Sequence, residues 1–304
     1  MEWLSSFYAV GVVLTLFLGP LMLLVGVILY RRKLQSRSRT SPLTANLLRP
    51  AGFTLQKQID ALQDDLSECF LAIPVMTTLA PLMLLMQAEF FDKRASLATW
   101  MILSGITAIA VGYYAWKALK IVKQLGHLRL GYACEMAVGQ ELEQIIRPAE
   151  RPYRVFHDIP FEGFNIDHLI VTPSGVFVIE TKGRSKPLNS GSKQFKVRLE
   201  GNALHFPNHI ERAPLEQTRR NAQSVRKWLA DATGFEVPVA GVLVLPGWYI
   251  ERKQRSVDPF VMNAAELTQQ LPKLRAGTLE AGQVTAVAHQ VAQRVRDVDR
   301  ERVL

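Results

Sequence analysis

The sequence predicts a mixed α/β fold, a small sheet flanked by helices, preceded by an all-α membrane region. Three observations predict it. Uncharged runs long enough to cross a bilayer are confined to the first 130 residues. Between residues 153 and 262, apolar and β-branched runs of strand length alternate with Gly- and Pro-containing turns. Helical stretches at 121–146, 214–232 and 280–298 bracket and interrupt those runs. Helices on a sheet that alternates in this way form layered α/β architectures.

The chain has 304 residues, room for two domains or for one domain plus membrane segments. Its mean hydropathy near zero averages an apolar first part with a remainder of ordinary soluble composition. The net charge of +9 favours anionic partners, either nucleic acid or acidic lipid headgroups. Cys69 and Cys134 are the only cysteines, too few for a disulfide framework or a zinc site, which suggests a reducing compartment for the soluble part.

Residues 7–30 carry no charge and suffice for a hydrocarbon core of about 30 Å. Arg31, Arg32, Lys33, Arg37 and Arg39 follow it. A signal peptide has the opposite polarity, so this reads as a retained anchor. Residues 70–88 are a second uncharged run containing Pro74 and Pro81, read as a span, with a buried or re-entrant hairpin as the alternative. Residues 95–116 are a third, and aromatics such as Phe90, Trp100 and Trp116 lie near the ends of these two runs. Lys and Arg concentrate between spans one and two and after span three. That distribution predicts an integral, multi-pass protein with its N-terminus outside and its C-terminal domain cytoplasmic. Leu55, Ile59, Leu62 and Leu66 predict a short amphipathic helix over 54–68. The resulting division is a membrane region at 1–120, a soluble domain at 121–250 and a C-terminal extension at 251–304.

In the soluble part, a helix over 121–146 ends at Pro148 and Pro152, and a strand follows over 153–159. The runs 165–172 and 176–182 flank Pro173-Ser174-Gly175 and predict a hairpin. A second hairpin is predicted around Glu200-Gly201-Asn202, then a helix over 214–232 and a buried strand over 237–245. A short strand at 260–262, a helix from Ala264 and an amphipathic helix over 280–298 complete the chain.

The first hairpin carries the chemistry. Strand alternation puts Glu180 and Lys182 on one face, and the turn brings Asp167 nearly opposite Glu180. Two carboxylates that close repel unless a cation lies between them. Mg²⁺, or Mn²⁺, suits them: it takes oxygen ligands and leaves positions for phosphate. Asp167, Glu180 and the Thr181 carbonyl are the candidate ligands, and Lys182 would stabilise developing charge or orient a water. The plainer alternative is a pair of solvated strand-end acids with Lys182 as an ion-pair partner.

The stretches Gly131, Glu135, Val138 and Leu142, then Asn165 to Val171 with Gly175 to Lys182, then Pro214 with Gln217, resemble the nuclease-related domain (NERD) family. That family is a relative of the restriction-endonuclease-like PD-(D/E)xK superfamily. The resemblance covers residues 131–250 and implies a metal-dependent nuclease core on a restriction-endonuclease-like mixed sheet. It implies catalytic roles for Asp167, Glu180 and Lys182, with Glu135 as the helix acid and a further metal ligand and Gln217 as the accessory polar residue. Cys134 stands where family members often have glycine.

Eleven lysines and arginines lie between Lys182 and Lys227, against Glu200, Glu211 and Glu216. Arg184, Lys186, Lys193, Lys196, Arg219 and Arg220 are the candidate phosphate contacts, with anionic lipid as the competing partner. His157, His168, His205 and His209 look scattered, and Pro207 argues against a helical metal pair at 205 and 209. Trp228 and Trp248 read as core. The leading expectation is a membrane-anchored phosphodiesterase acting on DNA or RNA. A non-catalytic module binding nucleic acid or a partner at the membrane, and a membrane-assembly subunit, are the alternatives.

Overall fold

The computed structural model describes Val27, Tyr30 and residues 47–91, 96–146, 152–189, 192–252 and 258–296. Apart from Val27 and Tyr30, the predicted span 7–30 lies outside them. The chain divides into two compact units. One comprises residues 1–44, 61–124 and 300–304, the other residues 45–60 and 125–299.

Helix α1 (Phe53–Phe91) joins the expected amphipathic helix and the expected second span in one element. It continues through Pro74, which lacks an amide proton. The Thr77 and Thr78 hydroxyls bond back to the Ile73 and Pro74 carbonyls at 3.0 and 2.7 Å, so neither needs an outside partner. Helix α2 (Leu97–Ile146) likewise fuses the predicted third span with the predicted helix 121–146. Gly126 and Gly131 do not break it, because each costs only about 1 kcal/mol in a helix this long. Among the described residues, α2 is the one helix long and apolar enough to cross a membrane. Met101, Ile102, Ile106 and Ile109 project outward from it and are exposed.

The second unit is a mixed α/β structure. Strands β1 (Arg154–Phe161), β2 (Phe164–Thr172) and β3 (Gly175–Thr181) form an antiparallel meander. Strands β4 (Leu188–Asn189) and β5 (Ser192–Lys193) form a small separate hairpin. β6 (Lys196–Glu200), β7 (Ala203–His205) and β8 (Ile210–Glu211) lead into helix α3 (Ala213–Thr233). Then come β9 (Val239–Val244), β10 (Tyr249–Arg252), β11 (Phe260–Met262), a short helix α4 (Leu267–Gln270) and the C-terminal helix α5 (Ala281–Arg296). β8 and β10 are too short and too polar to stand out in the sequence.

The larger sheet has the order β1-β2-β3-β9-β11, with β9 and β11 parallel to β3. The smaller has the order β10-β6-β7-β8, and β10 joins β6 in parallel. Alternation sorts β3 cleanly. Val176 and Val178 point to α3 and α5, packing with Val225, Leu229, Val287 and Val291. Phe177 and Ile179 point to the other face, against Val138, Leu142 and Ile145 of α2. A strand buried on both faces is the expected environment for the continuous apolar run of β3.

Residues 45–60, which the sequence division leaves with the membrane region, pack on this unit. Gly52, at φ +69°, would place a Cβ 2.7 Å from the Tyr132 ring on α2, so only glycine permits that approach.

Candidate functional site

The β2–β3 register runs from Thr172↔Gly175 to His168↔Ile179. One step further puts Asp167 level with Glu180, on the face towards α3. Thr172 Oγ1 donates to the Gly175 carbonyl and accepts from the Ser174 amide, locking the turn that sets this register. Asp167 Oδ2 accepts the Thr181 amide at 2.6 Å.

Glu180 is 2% exposed, and each of its oxygens has a partner. Its Oε1 accepts from Gln217 Nε2 at 2.8 Å and from Lys182 Nζ at 2.7 Å; Oε2 accepts from Asn221 Nδ2 at 2.8 Å. Gln217 and Asn221 lie one turn apart on α3, so a single helix face grips both oxygens. Sequence reasoning found Gln217 and missed Asn221. The four-residue spacing was the available signal.

Glu135 comes from α2. Gly183, directly after Lys182, would place a Cβ 2.9 Å from Cys134 Sγ and 3.3 Å from the Leu130 carbonyl. Its lack of a side chain lets the end of β3 close on the helix that carries Glu135. Cys134 sits at this contact, and burial and the neighbouring Glu135 charge push its thiol up.

Asp167 and Glu135 each feel the charge of neighbouring acids. Burial, then Glu180 and Glu135, hold the Asp167 carboxyl well above its ordinary range, against the opposing Thr181 amide and Lys182. Burial, then Asp158 and Glu180, push Glu135 up to about 7. Among the described residues, no group of three His, Cys, Asp or Glu side chains is gathered at metal-ligating separation.

Protonated Glu135 contributes stability that is fully present below the ordinary 4.5 and lost as pH rises through about 7. Glu135→Gln should therefore stabilise the metal-free protein by about 1–3 kcal/mol above neutrality and by almost nothing below pH ~4.5. Urea unfolding in EDTA at the two pH values tests this. An equal effect at both would remove the repulsion argument.

A fourth acid, Asp158, was not foreseen. It is 3% exposed and takes φ +48° on β1, a conformation that few non-glycine residues adopt. Its Oδ2 accepts from Arg49 Nη1 at 3.0 Å and Thr54 Oγ1 at 2.8 Å, and Oδ1 from Asn165 Nδ2 at 3.3 Å. The arginine comes from 109 residues earlier in the chain, which no local pattern reveals.

The histidines are less scattered than the sequence suggests. His157 and His168 pair across β1 and β2, with their Nδ1 atoms 2.8 Å apart and their rings edge-to-face. Burial lowers both, and the His157 charge lowers His168 further. His209 instead stacks on Phe206 and meets Glu211 at 2.7 Å.

The basic residues divide. Arg184 grips Glu211 with two 2.8 Å bonds, and Arg219 reaches the Asp258 carbonyl and Asn202 Oδ1. Both build the fold. Lys186 lies 5.8 Å from the Trp248 ring centre. Lys196 and Arg220 point to solvent, and the Lys193 backbone pairs with Leu188 in the β4–β5 hairpin.

Residues 130–246 match the family model described as the nuclease-related domain. No curated protein and no solved structure matches the chain.

Proposed function

We propose, from the nuclease-related domain that residues 130–246 carry, that this protein hydrolyses phosphodiester bonds of DNA or RNA with a divalent metal. The supporting observation is the pairing of Asp167 with Glu180 beside Lys182, where burial and the neighbouring carboxylate charges raise Asp167 and Glu135. Such a cluster is relieved by a cation.

The donor set fits Mg²⁺ or Mn²⁺. A carboxylate offers about four lone-pair positions. Glu180 uses three and Asp167 one, so acceptor capacity remains on both. Asp167, Glu180, the Thr181 carbonyl and Glu135 would hold the ion. When bound, such an ion supplies positive charge to phosphoryl oxygens and lowers the pKa of a coordinated water. Gln217 and Asn221 fix the Glu180 rotamer, so the carboxylate does not reorganise during reaction. Lys182, 24% exposed and tied to Glu180, places a cation where a phosphoryl oxygen gains charge. The layout, a β-hairpin acid pair with a following helix on one face and a leading helix on the other, is consistent with a restriction-endonuclease-like core.

The membrane enters this reading through charge. Lys and Arg placement supports three spans at 7–30, 70–88 and 95–116, an outside N-terminus and a cytoplasmic domain. One observation favours a second reading, a tethered module that binds nucleic acid without cleaving it. Lys182 already neutralises Glu180, which makes the pair a stable structural node.

The deciding experiment uses the full chain in neutral-lipid nanodiscs with labelled DNA and RNA, in Mg²⁺ or EDTA. EDTA-sensitive cleavage supports the enzyme. Binding without cleavage supports the module, and absence of both overturns the two readings.

A further inference from the structure

The smaller sheet has one face that the fold leaves open. Val197, Leu199, Leu204 and Ile250 turn inward and are buried with Trp248 and Leu215. Period two sends the intervening residues outward. Tyr249 is level with Lys196 across the β10–β6 pair, and Arg198 lies between Glu251 and His205.

Two large aromatic side chains are exposed here: Tyr249 on this face, and Phe195 in the residue that leads into β6. Phe195 is 47% exposed and Tyr249 54%, with ring centres 6.5 Å apart at 74°. The Tyr249 amide donates to the Phe195 carbonyl at 2.8 Å, which pins the two residues side by side. A lone exposed aromatic is ordinary. A fixed pair beside two exposed cations, Lys196 and Arg198, is a shaped surface. The sheet itself connects to the acid site, through its packed side. Two residues beyond Lys182, Arg184 grips Glu211 of β8, and its carbonyl accepts from Trp248 Nε1 at 3.1 Å.

We propose that this face is a base-stacking platform for single-stranded nucleic acid. The inference rests on the nucleic-acid reading above and narrows its substrate class. Aromatic side chains bind any base through its π-face, and lysine or arginine beside them meets the phosphates. In a duplex those π-faces are already stacked on neighbouring base pairs, so only a single strand can use the rings. Glu251 shares the face and Glu200 approaches Arg198 at 4.0 Å. These acids offset part of the positive charge, which makes stacking the discriminating contact.

The test measures fluorescence anisotropy of a labelled single-stranded oligothymidylate and of a duplex of equal length, at about 50 mM salt. The full chain is held in neutral-lipid nanodiscs, with EDTA present to prevent cleavage. The wild type should bind the single strand more tightly than the duplex. Phe195→Ala with Tyr249→Ala should weaken single-strand binding at least about tenfold and leave duplex binding within about twofold. Phe195→Tyr with Tyr249→Phe should restore single-strand binding, and all variants should keep the wild-type unfolding midpoint. Equal single-strand and duplex affinity in the wild type, or an unaffected double-alanine variant, overturns the platform and leaves nucleic-acid binding standing. No binding to either oligonucleotide overturns both.

Discussion

Asp167→Asn should lower EDTA-sensitive cleavage by about 10²–10³-fold while the protein stays folded. Asparagine keeps the volume and can still accept the Thr181 amide bond through its carbonyl oxygen. It removes only the charge, and that charge is the one burial, Glu180 and Glu135 already disfavour. Stability should hold or rise. Glu180→Gln is the instructive contrast. It strands Lys182 without its carboxylate and turns an amide donor either towards Asn221 or towards Gln217 and Lys182. It should lose activity and also cost about 2–4 kcal/mol of stability. Cleavage gels and urea unfolding on both variants separate chemistry from scaffolding. Wild-type cleavage by Asp167→Asn would end the enzyme reading.

Arg49→Ala should destabilise the protein by about 3–5 kcal/mol, although Arg49 lies far outside the matched domain in sequence. The substitution leaves the Asp158 carboxylate buried without its guanidinium, held only by Thr54 and Asn165. Asp158 already occupies an unfavourable backbone conformation, which its partners maintain. Thr54→Val removes one neutral donor to the same oxygen and should cost about 1–2 kcal/mol. Urea unfolding of the two variants gives the comparison. A loss below 1 kcal/mol for Arg49→Ala would show that water replaces the guanidinium and that the segment 45–60 adds little to the domain. If the expectation holds, fragments beginning near residue 121 are unsuitable for assay, because they lack both Arg49 and Thr54.

The hairpin at 164–181 was legible because its determinants are local. Alternation, an apolar run and a Pro-Ser-Gly turn specify two strands, and the turn sets the register that puts Asp167 opposite Glu180. Helix α3 was legible for the same reason, and Gln217 with it. Helix lengths were not. Two separately read segments fused in α1 and again in α2, because polar and apolar stretches can share one continuous helix.

By itself the sequence determined the hairpin, the acid pair with its lysine, the flanking helices and the uncharged runs, since each follows from side-chain period and turn chemistry within about twenty residues. The tertiary structure alone decided which distant groups meet. Arg49 on Asp158, Asn221 on Glu180, the His157–His168 pair and the parallel docking of β10 on β6 all join separated segments. Such contacts depend on three-dimensional packing and on where buried charges find partners, and no one-dimensional spacing records that.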